Sequence, residues 1–229
     1  MKPGFLLVTA VALCAAGCGS GSHETVVTVT TSPVSTVSPA PMTITVFTIE
    51  QHALRPKLER VPRTEAVAAA TLGALGVAAP VTISDGTATV GLAKAPNDQV
   101  AEIVYTLTQF ASVQRVDVAG RTGLTRDDFA AYVPPILVET PVPGSRVPPT
   151  FRVSGTASVF EATLVVQLVR EGKVISKQTV TASEGAPGRG TFETTFNASP
   201  GALTVVAFSP SAADGTPQHE VDVPITVTP

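Results

Sequence analysis

The chain has 229 residues, a net charge of −3 and no tryptophan. It carries no basic block, which argues against the phosphate-neutralising surface of a nucleic-acid binder. Its length suits one or two domains.

At the N-terminus, Lys2 precedes the apolar run Phe5–Leu13 and then Ala15-Ala16-Gly17-Cys18. A spanning helix needs about 20 apolar residues, so this shorter run reads as the core of a signal peptide. The small side chains before Cys18 suit a signal peptidase. "AAGC" resembles the bacterial lipobox, with Ala15 where leucine is commoner. The resemblance implies thioether lipidation of Cys18, palmitate-type acylation and removal of residues 1–17. The other reading is an ordinary secretory signal cut nearby, with Cys18 incidental. The chain's two cysteines are Cys14 and Cys18. If the first leaves with the signal and the second is acylated, no disulfide or cysteine zinc site remains. The expected location is the outer face of the bacterial cell membrane, held by an anchor rather than a span.

Residues 18–41 are rich in Ser, Thr, Val, Pro and Gly. They read as a flexible, partly extended tether.

The alternating, β-branched run Thr43–Ile49 predicts a strand. A polar stretch, His52–Arg63, follows and carries Arg55, Lys57, Arg60 and Arg63. These four are candidates for contact with anionic wall polymers or lipid headgroups, each adding about 1 kcal/mol near such a surface. A solvated loop is the plainer reading. Thr64 can cap a helix through Leu75, stopped by Gly76. Val81–Ala93 reads as a hairpin around Asp85-Gly86. Val100, Ile103, Val104, Leu107 and Phe110 fall on one face of a second helix, with Asn97 or Asp98 as its cap. Ser112–Val118 reads as a strand, so residues 42–120 form a small α+β module.

Residues 121–135 read as a linker. It holds a turn at Gly120–Gly123, a short helix capped by Thr125 and a stop at Pro134-Pro135. Asp127 and Asp128 point about 100° apart on that helix and make a poor shared site. From Ile136 to Pro229 the pattern is all β. Strands are expected near 136–140, 149–155, 160–170, 173–181, 190–197, 202–208 and 219–227, the signature of an immunoglobulin-like sandwich. Pro224 places the last strand at an edge, or turns its missing donor outward.

Two stretches carry family resemblances. "DGTATVGL" followed by "VAEIVYTLTQFASVQRVDV" resembles the GerMN (germane) domain of spore-germination and sporulation lipoproteins. Gly91 stands where that family often has aspartate. "TPVPGSRVPPTFRVSGTASVFEATLVVQLVREGKVI", with "GRGTFETTF" and "FSPSAADGTPQHEVDVPI", resembles the immunoglobulin-like domain that accompanies germane domains. Together they imply a non-enzymatic envelope lipoprotein that binds envelope proteins or peptidoglycan and other wall polymers. No cofactor is implied, and germane-type lipoproteins also occur in bacteria that do not sporulate.

The residues offer no catalytic or metal-ligating motif. His23, His52 and His219 are scattered, and neither HExxH nor GxSxG spacing occurs. The competing function is an envelope hydrolase whose site is assembled from dispersed carboxylates, such as Glu161 with Glu184, Glu193 or Asp214. The register of residues 160–169 puts Phe160 on the inner face and Glu161 on the outer one. Glu161 then reads as a structural acceptor, for Arg152 or for backbone N–H groups of a neighbouring loop.

Overall fold

The computed structural model describes residues 40–229. Cys18, the signal segment and almost all of the tether lie outside them. The described chain is mostly β.

The first strand, β1 (Met42–Glu50), is followed directly by β2 (Ala53–Val61), and the two pair antiparallel from Met42↔Val61 to Glu50↔Ala53. This corrects the expected polar loop at 52–63. The basic residues hide a period-2 pattern in which Leu54 and Pro56 are buried and Arg55 and Lys57 exposed. Gln51 and His52 take positive φ, which tightens the hairpin to two residues.

Helix α1 (Val67–Ala74) comes next. Its entry turn is made by Thr64, whose Oγ1 accepts the N–H of Ala66. β3 (Val81–Ser84) and β4 (Thr87–Val90) form the hairpin around Asp85-Gly86. Helix α2 (Asn97–Leu107) then carries the chain to β5 (Arg115–Val118), which lies parallel to β4. A parallel neighbour needs such a crossover, and the helix supplies it. Pro96, not Asn97 or Asp98, is the N-cap of α2. β6 (Arg121–Leu124) occupies the expected turn and closes a four-stranded sheet in the order β3-β4-β5-β6. Ala119 and Gly120, both at positive φ, make the turn into it.

A 3-10 helix, Arg126–Tyr132, leads to the sandwich. One sheet is β12-β9-β7 and the other β11-β10-β13-β14-β8. Their ranges are β7 (Ile136–Thr140), β8 (Arg146–Val147), β9 (Thr150–Ala157), β10 (Thr163–Arg170), β11 (Lys173–Thr181), β12 (Gly190–Asn197), β13 (Gly201–Pro210) and β14 (Pro217–Val227). Within these two sheets, all pairs are antiparallel except the short β14–β8 contact. β14 is thus one strand in from the edge, and beyond Pro224 the Gly144 N–H donates to its carbonyl at 2.7 Å.

Among the described residues there are two main apolar cores. Leu164, Val166, Leu168, Val205, Phe192 and Phe196 fill the sandwich. Leu72, Val100, Ile103, Val104, Leu107 and Val116 fill the other, with Phe47 and Leu54 from the first hairpin. Phe129, inside the expected linker, sits in this second core. β7 serves both. Ile136 and Val138 face the sandwich interior, while Leu137 between them belongs to the α2 core. A strand's alternation makes this possible, since successive side chains leave opposite faces.

The "FEA" stretch departs from its expectation. Phe160–Ala162 is a 3-10 turn, with Glu161 and Ala162 at positive φ, and β10 begins only at Thr163. Phe160 is 65% exposed and not an inner residue. The turn packs under the β11–β12 loop, where Ala186 N–H donates to Val159 O at 2.9 Å and Ala182 N–H to Ala162 O at 2.8 Å. Those loop contacts override the simple alternation.

Candidate functional site

The chemistry-bearing residues converge where the sandwich meets the α2 core. The convergence begins with a cap. Thr125 and Asp128 form a reciprocal capping box, with Asp128 accepting the Thr125 N–H at 2.8 Å and its hydroxyl at 3.1 Å. These bonds hold the Asp128 carboxyl below its ordinary range, because they favour the charged form. The cap fixes the direction of the next side chain, Arg126.

Arg126 is held on every side. Its guanidinium donates to both oxygens of Glu139 on β7, at 2.9 and 2.8 Å, and through Nε to Thr108 Oγ1 at 2.9 Å. Its charge also lies over two rings, 5.5 Å from the Phe47 centroid and 4.8 Å from that of Tyr105. The side chains of the ion pair are only 26% and 22% exposed. One residue therefore fastens β1, α2 and β7 together.

Tyr105 is buried on α2, and burial pushes its phenol up to about 12, against the pull of Arg126. It therefore keeps its proton at ordinary pH. On the same helix, Thr106 Oγ1 accepts the Phe47 N–H at 2.9 Å and Glu102 accepts the Ile49 N–H at 2.7 Å. These two bonds occupy edge donors of β1. Burial raises Glu102 from the usual carboxylate range, and the Ile49 bond opposes that rise.

From the sandwich, the β11–β12 loop brings Arg189. It donates to Pro134 O at 2.7 Å and to Thr156 Oγ1 at 3.2 Å. Burial lowers its pKa. Two hollows flank Arg126. A groove of about 690 Å³ is lined by Thr45, Thr108, Gln109, Gln114, Glu139 and Thr140 among others. A second hollow of about 430 Å³ is lined by Tyr105, Arg126, Asp127, Ser158, Pro187 and Arg189 among others.

The residues singled out by sequence fall elsewhere. Arg55 and Lys57 share one face of β2, Arg60 lies on the other and Arg63 is past its end. Lys57 is paired with Glu59 at 2.8 Å. The four do not form one patch, because a strand alternates its side chains where a loop would not. Glu161 is not the expected acceptor. Arg152 pairs with Glu193 at 3.1 Å, and among the described residues Glu161 accepts only through its backbone carbonyl, from Thr163 Oγ1 at 3.0 Å. Its left-handed backbone turns the side chain out to solvent. Asp214 is bound into the β13–β14 turn by Thr216, which lowers its pKa. No cluster of three or more His, Cys, Asp or Glu with metal-site geometry occurs among the described residues, and no described helix is long and apolar enough to cross a membrane.

Arg126, Glu139 and Arg189 were invisible as a group in the sequence. They are separated by 13 residues in one case and by a whole sandwich edge in the other. Only the helix cap expected at Thr125 pointed to this place.

No curated protein matches the chain. Among solved structures, an engineered protein determined by the Northeast Structural Genomics Consortium is similar at 19% identity and a TM-score of 0.30, over 59% of this chain. The chain spans 29% of that protein's length. Residues 135–216 match the model of the Gmad2 family, the immunoglobulin-like domain of bacterial spore germination, a non-catalytic domain type.

Proposed function

We propose that this is an exported, lipid-anchored envelope protein of the germination-lipoprotein kind, which acts as a binding or scaffold module and not as an enzyme. The observation that carries this reading is the match of residues 135–216 to the germination immunoglobulin-like family. The germane reading of residues 42–120 is consistent with it and rests on the "YTLTQF" and "DGTATVGL" resemblances. Sandwich loops and sheet edges are ready surfaces for protein contacts. Glu193 and Asp214, two of the dispersed carboxylates, are engaged by Arg152 and Thr216. That engagement weighs against the hydrolase alternative.

The anchor has its own test. Cys18→Ser should abolish incorporation of labelled fatty acid in cells, and persistent labelling would refute lipidation at that residue. For the binding role, in-cell crosslinking should capture a discrete envelope protein or a wall fragment. Recovery of the uncrosslinked chain alone, under conditions that trap a known envelope complex, counts against the scaffold reading.

A further inference from the structure

Arg189 differs from the other arginines of the junction. Arg126 is neutralised by Glu139, and Arg152 by Glu193. Among the described residues no carboxylate lies within ion-pair distance of Arg189, and both of its partners, Pro134 O and Thr156 Oγ1, are neutral. Two bonds leave part of a five-donor fork unused. A partly buried cation with no directly bonded carboxylate is costly to maintain, and Glu139 offsets this only from a distance. Here it lines a hollow of about 430 Å³ together with the hydroxyl-bearing Ser158 and Tyr105. The Tyr105 hydroxyl has only a long 3.5 Å contact, to Arg126 O, and its raised pKa keeps it a donor.

We propose that this hollow between the sandwich and the α2 core is a carboxylate-binding site, in which Arg189 takes the anion and the Tyr105 and Ser158 hydroxyls complete its hydrogen bonds. The planar guanidinium fork matches a carboxylate in two parallel bonds. Asp127 lies on the same lining and repels any anion there, a dianion about twice as strongly as a monoanion, so a monoanion is favoured over a phosphate dianion. The Arg126 charge is already spent on Glu139. The ligand is therefore a single carboxylate, offered by a peptide C-terminus or by an acidic sugar. The assignment deepens the binding-module reading and rests on it.

The test is titration of the purified full-length protein in detergent, followed by calorimetry. The probes are N-acetyl-alanyl-alanine, its C-terminal amide, glucuronic acid and inorganic phosphate. At least one carboxylate should bind. Binding by the dipeptide acid identifies a peptide source, and binding by glucuronate a glycan source. The amide should bind the dipeptide site about tenfold more weakly or worse, the loss expected for one charge-assisted contact. Arg189→Gln should lose about tenfold for whichever acid binds, and Arg152→Gln should lose nothing. Because Arg189 also pins Pro134, Arg189→Lys is measured alongside. It keeps the charge but not the fork, and should bind several-fold more weakly while melting near the parent. Silence from both acids, equal affinity for the acid and its amide, preference for phosphate or full affinity in both Arg189 variants would each overturn the site. Such a failure leaves the crosslinking result untouched, and a failed crosslink leaves this titration standing.

Discussion

Gly155→Ala should be among the most damaging single substitutions in the protein. A methyl at this position would sit 2.0 Å from the carbonyl oxygen of Leu137 and 3.0 Å from Val138 Cα. Both are backbone atoms of the adjacent strand β7, paired with β9 through Val138↔Gly155. A flexible side chain could swing away, but a paired strand moves only by giving up its ladder. Overpacking costs about 1–3 kcal/mol and occasionally more. A clash with backbone belongs at the upper end, about 3 kcal/mol, which lowers Tm by about 6–12 °C for a chain of this size. Gly73→Ala is the matched control. An added methyl there meets nothing within 4 Å, inside α1, and should leave Tm unchanged or raise it slightly. A melting curve for Gly155→Ala that overlays the parent would refute the steric account.

The second large effect is expected at Arg126. Arg126→Ala strands Glu139 on a mostly covered face and removes the cation from above Phe47 and Tyr105. Breaking a buried pair from one side costs about 3–5 kcal/mol. With about a quarter of each side chain exposed, solvent screening reduces this to about 2–3 kcal/mol. The measurement is a double-mutant cycle with Glu139→Ala, read by chemical denaturation. The coupling should be about 1–3 kcal/mol and only weakly dependent on salt. A coupling below about 0.5 kcal/mol would show the pair to be ornamental. Arg126→Lys should recover only part of it, because lysine can reach Glu139 but supplies neither the second bond to Thr108 nor the planar group over two rings.

Where these residues sit explains what could be read from sequence. Helix α2 was legible because Val100, Ile103, Val104 and Leu107 repeat at helical spacing and all four are buried. The sandwich strands were legible because β9, β10, β12 and β14 alternate, or nearly so, between turn residues. β2 was lost because its exposed face is Arg55, Lys57 and Glu59, so composition spoke for a loop while the period spoke for a strand. β6 was lost because Arg121–Leu124 carries one buried residue, too few to show a period. "FEA" departs for the opposite reason: its alternation fits a strand, while the local bond from Ala162 to Val159 and the loop bonds from Ala182 and Ala186 hold it as a turn. The junction residues have no local pattern at all. Arg126 and Glu139 meet through tertiary packing, with Arg189 across a shared hollow, and their roles appear only when β7 lies against α2.

The shared strand β7 has a mechanical meaning. Its residues are claimed alternately by two cores, Ile136 and Val138 by one and Leu137 by the other. Relative rotation of the two parts would have to draw Leu137 out of one core or Ile136 and Val138 out of the other, so three consecutive residues tie the two cores together.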